Sequence, residues 1–176
     1  MSDNDTPHKA ADYDGEIHKT IPFYHLFHAE TIDLVRTLLP DVSVWPDTGC
    51  GTGYLAEQAL PLLPRVCFLL ADPSLAMLEQ ARGRLARFPS ADVRFLGAGT
   101  MEEPIGVVPE APQVISAIQC HHYGPEESRR RATTTCYHLL EPDGIYVTSE
   151  NIRLHVHRQS CESVAGREGP QRHRAI

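Results

Sequence analysis

Three glycines at alternate positions, Gly49, Gly51 and Gly53, follow an acid, Asp47, and separate a short apolar stretch from a helical one. Glycine permits positive φ and lets a ligand approach the main chain closely. The free N–H groups at the start of the following helix favour polar or anionic ligand groups. A strand–turn–helix junction of this kind belongs to an α/β fold, provided that strands and helices go on alternating.

They do. Phe23, Leu26, Phe27, Ile32, Leu34, Val35, Leu38 and Leu39 recur at helical spacing over 22–39, and Pro40 ends the run. Residues 42–45 form a strand candidate before the glycines, and the helical pattern resumes over 54–60. The near-continuous apolar run at 65–71 reads as a strand buried on both faces. Ser74 can cap a helix over 74–88, with Leu75, Leu78, Ala81, Leu85 and Phe88 as its stripe. Strands follow at 93–96 and 114–118. A helix then starts at Pro125-Glu126-Glu127, runs to Leu140, and gives way to a fifth strand at 145–149 after the Asp143-Gly144 turn. The predicted fold class is α/β, a doubly wound and mainly parallel sheet with right-handed crossovers.

Length fits one domain, which can bury roughly two-thirds of its unfolded surface. Residues 1–150 carry a formal charge of −10 and residues 151–176 a charge of +3. So acidic a body is a poor electrostatic match for a phosphate backbone, which excludes DNA as the expected partner and favours a small molecule. RNA or protein acceptors stand as alternatives. No stretch approaches the roughly 20 apolar residues of a spanning helix, so no membrane partner is expected. The polar start does not resemble a signal peptide, and five scattered cysteines suit a reducing cytoplasm better than a disulfide framework. Cys120, His121 and His122 are consecutive, project in different directions, and do not form a metal site.

Glycine spacing narrows the ligand. A dinucleotide fingerprint with Gly49 and Gly51 requires its third glycine at 54, where Tyr54 stands, and no phosphate-loop pattern occurs. Asp72 closes the second strand 19 residues past Gly53, where an acid typically holds ribose hydroxyls. Asp47-Thr48-Gly49-Cys50-Gly51-Thr52-Gly53 resembles the first motif of class I S-adenosylmethionine-dependent methyltransferases, and Asp72-Pro73-Ser74 with Met77-Leu78 resembles the second. Gln113 to Gln119 looks like the family's fourth strand, and Leu139-Leu140-Glu141-Pro142-Asp143-Gly144 like its L-x-P-G-G stretch. The segment from Tyr13-Asp14 to Phe23-Tyr24 is similar to the lid helix of bacterial methyltransferases, including the tRNA-uridine carboxymethylating kind.

The resemblance implies a Rossmann-like domain over 1–150 that binds S-adenosylmethionine and releases S-adenosylhomocysteine. It implies that Asp47, Gly49, Cys50, Gly51 and Gly53 surround the methionine end, that Asp72 and Pro73 serve the ribose, and that Thr100 and Met101 lie by the adenine. Ala117 or Gln119 presents backbone to the methionine amino group, and Tyr24 is the lid tyrosine. Three departures stand out: Pro46 in a central strand, Ala98-Gly99 where an acid commonly meets the adenine, and Gln113 where an acid often opens the fourth strand. The last two are expected to weaken cofactor binding. His121, His122 and Tyr123 follow the fourth strand on the ligand-binding rim and are the catalytic candidates, one histidine orienting or deprotonating the acceptor. Phe23, Phe27 and Leu34 are expected to pack within the lid, and a side chain at Gly51 to collide with ligand or turn.

Residues 151–176 lack a sustained apolar period and are expected to be poorly ordered, leaving the last antiparallel strand pair incomplete. The fifth strand would then be an open edge inviting homodimer pairing. A cofactor-binding domain or partner subunit without turnover is the alternative to an active methyltransferase.

Overall fold

The computed structural model describes residues 8–96 and 110–150. Two helices, α1 (Tyr13–Thr20) and α2 (Tyr24–Leu38), precede the alternating part of the chain. There follow β1 (Val44–Thr48), α3 (Tyr54–Ala59), β2 (Cys67–Ala71), α4 (Leu75–Leu85), β3 (Val93–Phe95), β4 (Val114–Ile118), a 3-10 turn (His121–Tyr123), α5 (Glu126–Leu139) and β5 (Ile145–Ser149). The five strands make one parallel sheet in the order β3-β2-β1-β4-β5. Chain order reverses between β1 and β4, so the sheet's switch point opens at their carboxyl ends, where such folds bind ligands.

Burial explains the strand assignments. β1 and β4 are buried at every position, and the Trp45 and Phe68 rings lie 5.2 Å apart, tilted by 31°, in the main core with Leu55, Leu70 and Val114. Ser74 caps α4 through a side-chain acceptor for the Met77 amide at 3.2 Å, as its sequence position requires. Among the described residues no helix is long and apolar enough to cross a membrane.

β1 lies two residues later than the apolar pattern places it, so that Pro46 falls within a central strand. Its pairing shows how this is tolerated. β1 pairs with β2 along all five residues but with β4 only at Asp47↔Ser116. Alternation turns Pro46, which has no donor, toward that thin β4 side. There the Gln113 side-chain oxygen accepts from the Ser43 amide (3.2 Å), the Ser43 hydroxyl (3.1 Å) and the Val44 amide (3.0 Å). Gln113 therefore replaces missing ladder bonds at the amino end of the sheet. Its departure from the family pattern thus has a structural explanation.

Candidate active site

The glycine turn is pinned to the end of β2. The amides of Gly49 and Cys50 both donate to the Ala71 carbonyl, at 2.8 and 3.0 Å. One Asp72 oxygen accepts from the Gly51 amide and the other from the Ser74 amide, each at 2.8 Å. Burial raises the Asp72 pKa, and the two amides partly counter it. Asp72 thus shapes the turn as well as facing it. Pro73, beside it, is exposed.

The three glycines have different reasons to be glycine, although φ is positive at all of them. A Cβ at Gly49 would stand 2.4 Å from Cys120 Cβ, so the turn closes against the end of β4. A Cβ at Gly53 would meet Ala81 Cβ at 3.0 Å, where the turn packs on α4. A Cβ at Gly51 would meet nothing within 4 Å. The expected collision of a Gly51 side chain with the turn is therefore corrected: its backbone conformation is strained for other residues, but the space before it is open.

Asp47 is buried beneath that space. Trp45 Nε1 can only donate, and it donates to Ser116 Oγ at 2.9 Å. The Ser116 hydroxyl hydrogen is left for Asp47, whose oxygen lies 2.6 Å away. Burial is the main reason that the Asp47 carboxyl is pushed up to about 7, with the Ser116 bond lowering it and the Asp72 charge adding to the rise. Burial also raises the Cys50 and Cys120 thiols well above their ordinary value, so neither is a thiolate nucleophile at neutral pH.

At the end of β4 the two backbone candidates part. Ala117 is fully buried, and its carbonyl accepts from the Thr148 hydroxyl on the β5 side. Gln119 takes a left-handed backbone (φ 54), and its amide and side-chain nitrogen both donate to the Ser149 carbonyl. Its buried Oε1 has no partner.

Over the crevice, α1 and α2 bring Tyr13 and Tyr24 together, their rings edge-on at 6.3 Å. Burial raises the pKa of both hydroxyls, the Asp72 carboxylate adding to the rise at Tyr13 and that of Asp47 at Tyr24. Phe27 packs on this aromatic cluster as expected. Phe23 and Leu34 do not: Phe23 is 70% exposed in a left-handed conformation (φ 60), and Leu34 is 43% exposed. The α1–α2 corner turns Phe23 outward, while the helix period puts Leu34 on the solvent face of α2.

The rim after β4 holds the histidines. His122 Nδ1 lies 2.6 Å from a Glu150 oxygen, and its ring packs on Tyr123 at 4.1 Å. Glu150 also accepts from the His121 amide (2.9 Å) and the His122 amide (3.2 Å), so its carboxylate is held in place. His121 is buried, with Nδ1 3.0 Å from the Tyr146 hydroxyl and Nε2 without a partner; burial lowers its pKa. Sequence reasoning missed Glu150. An acid directly after β5, beside the β4 terminus, is the signal that could have found it.

The sequence pattern that defines a methyltransferase domain matches residues 47–146, from the first residue of the glycine motif into β5. The chain belongs to this methyltransferase-domain family. No curated protein matches it in sequence. Its fold is shared by solved structures at low identity. One is CalS10 with S-adenosylmethionine bound, an amino pentose methyltransferase from Micromonospora echinaspora: 22% identical, TM-score 0.64, covering 85% of this chain and 59% of that one. Others are DesVI from Streptomyces venezuelae (23%, TM-score 0.61, 81% and 58% covered) and the sugar N-methyltransferase KedS8 from a Streptoalloteichus species (16%, TM-score 0.63, 82% and 55%). The chain thus spans under three-fifths of the length of these proteins.

In this methyltransferase domain the structure brings Asp47, Gly49, Cys50, Gly51, Gly53, Asp72, Tyr24 and Gln119 around the carboxyl ends of β1, β2 and β4, with His122 on the rim. Thr100 and Met101, and the whole segment 151–176, lie outside the described residues.

Proposed function

We propose that the chain binds S-adenosylmethionine in the crevice at the carboxyl ends of β1, β2 and β4 and transfers its methyl group to a protonated nucleophile of a small molecule. The open space before Gly51 and the unpartnered Gln119 Oε1 fit a ligand that carries donors and closely approaches the main chain. Asp72 would hold the ribose, Asp47 and Gln119 the charged methionine end, and Tyr13 and Tyr24 would cover them.

Bound there, the sulfonium supplies an activated methyl group, and the protein contributes position, exclusion of water and a proton acceptor. The single observation that carries the assignment of turnover is the His122–Glu150 pair at 2.6 Å on the rim. A carboxylate on Nδ1 fixes the tautomer that leaves Nε2 free to take a proton. A base of this kind is useful only when the nucleophile must lose a proton, as an ammonium or a hydroxyl does. An amine on a small molecule such as a sugar suits that requirement, and the amino pentose and sugar N-methyltransferases that share the fold are in keeping with it. A cytoplasmic setting accords with the free Cys50, Cys67, Cys120 and Cys136.

Calorimetric titration with S-adenosylhomocysteine tests the cofactor, and methyl transfer to a panel of amino sugars and hydroxylated metabolites tests the acceptor. Tight binding together with turnover of an amine is the expected result. Failure to bind S-adenosylhomocysteine would remove the reading altogether.

A further inference from the structure

The lid helix α1 has little apolar connection to the body of the domain. Tyr13 and Ile17 belong to a small cluster, with Ile21 and Tyr24, that is separate from the main core and includes Met77 of α4. The stronger link is polar. One Asp14 oxygen accepts from the Thr52 hydroxyl at 2.7 Å, inside the glycine turn. The other forms an ion pair with Arg84 of α4. Arg84 simultaneously pairs with Glu57 of α3, which is 7% exposed and also held by Arg87. The Arg84 guanidinium lies 5.5 Å from the Tyr54 ring, and Tyr54 packs edge-on against His28 of α2, which in turn packs on Tyr24.

These contacts form one connected path. Asp14 adjoins Tyr13 in sequence, while Thr52 and Tyr54 flank Gly53, so the pair ties the lid tyrosine to the turn that it faces. We propose that Arg84 is a positioning residue: through Asp14 it latches α1 onto the glycine turn, and breaking that ion pair sets the rate at which the bound nucleoside leaves. This inference rests on the reading of the crevice as an S-adenosylmethionine site. The Arg84 side chain is 19% exposed and that of Asp14 43%, so the pair is sheltered on one side and reachable by water on the other. Such a contact is strong enough to hold a helix yet open enough to break locally. Glu57 keeps Arg87 when Arg84 is altered, so the α3–α4 packing does not lose its only cation.

The test uses the full chain as wild type, Asp14→Asn, Arg84→Gln, Arg84→Lys and the Asp14→Asn/Arg84→Gln double variant. Hydrogen exchange without ligand should rise about tenfold across residues 13–20 in Asp14→Asn and Arg84→Gln, while β2 and β4 remain protected. Stopped-flow dissociation of S-adenosylhomocysteine should quicken by about five- to tenfold in the same variants, as loss of a local opening barrier implies. The double variant should be no worse than Arg84→Gln alone, and Arg84→Lys should recover part of the effect. Should Arg84→Gln fail to fold, Asp14→Asn carries the test. Unchanged α1 exchange in Asp14→Asn, or an unchanged dissociation rate in a variant that binds, would overturn the latch. If wild type does not bind S-adenosylhomocysteine, the cofactor reading fails instead, and α1 exchange alone decides the latch.

Discussion

Asp47→Asn should make the ligand-free protein more stable while removing its ligand affinity. The carboxyl is buried at 3% exposure and pushed up to about 7 from an ordinary 3.8. A group whose folded pKa lies above its unfolded value contributes stability that is fully present below pH 3.8 and lost as pH rises through about 7. A rise of about three units, at about 1.4 kcal/mol each, puts the loss at about 4 kcal/mol above pH 7. The amide cannot ionise and keeps an acceptor for the Ser116 hydroxyl, so it escapes this loss. Urea unfolding of both proteins from pH 4 to 8 measures the difference. It should be about 0.5 kcal/mol at pH 4, about 1.5–2 at pH 5 and about 4 at pH 8, always in favour of the variant. His28, which burial holds down to about 4, works in the opposite direction, its stability present above pH 6.5 and lost as pH falls through about 4. It is common to both proteins and cancels in the comparison. Wild-type affinity for S-adenosylhomocysteine should increase as pH rises through 7, because only the ionised carboxyl attracts an ammonium, and the variant should lack that dependence. A stability difference that is flat across the range would refute the argument, since it would mean that Asp47 ionises in the folded protein as easily as in the unfolded one.

Asp72→Ala should weaken S-adenosylhomocysteine binding by about 1.5–3 kcal/mol by calorimetry, and should also lower the melting temperature, because the Gly51 and Ser74 amides lose their acceptor. His122→Ala should reduce kcat by about 10²- to 10⁴-fold with little change in cofactor affinity, and Glu150→Gln should reproduce part of that loss in a steady-state assay. Gly49→Ala should destabilise the fold by about 1–3 kcal/mol in urea, since its Cβ would overlap that of Cys120, whereas Gly51→Ala should cost only the backbone strain of about 1–2 kcal/mol and still abolish binding.

How far the sequence could be read depended on whether a signal was local. The 114–118 and 145–149 strands, the Ser74 cap and the α5 start each depend on neighbouring residues, and each is found where the pattern puts it. The position of β1 is set by long-range pairing with β2, which overrides the dislike of Pro46 for a central strand, so the local pattern misplaced it. Gln113 shows the same limit. Compared only with the family motif, it looks like a lost cofactor contact; in three dimensions it completes a ladder that Pro46 weakens.

The site itself divides along this line. The motif residues Gly49 to Gly53, proposed to meet the ligand through the main chain, were legible because positive φ restricts residue type locally. Glu150 was overlooked, since its place directly after β5 becomes a signal only once β5 is set beside β4, next to a histidine 28 positions earlier. Only the β4–β5 pairing, in register from Val114↔Ile145 to Ile118↔Ser149, brings the residues after the two strands together. That register has a functional consequence. A one-residue slip would move Glu150 along the sheet by about 3.3 Å and turn its side chain to the other face. The His122–Glu150 pair therefore depends on the packing of β5, and substitutions on β5 that leave every site residue in place, such as Val147→Ala in the core contact, should loosen the dyad before they unfold the domain.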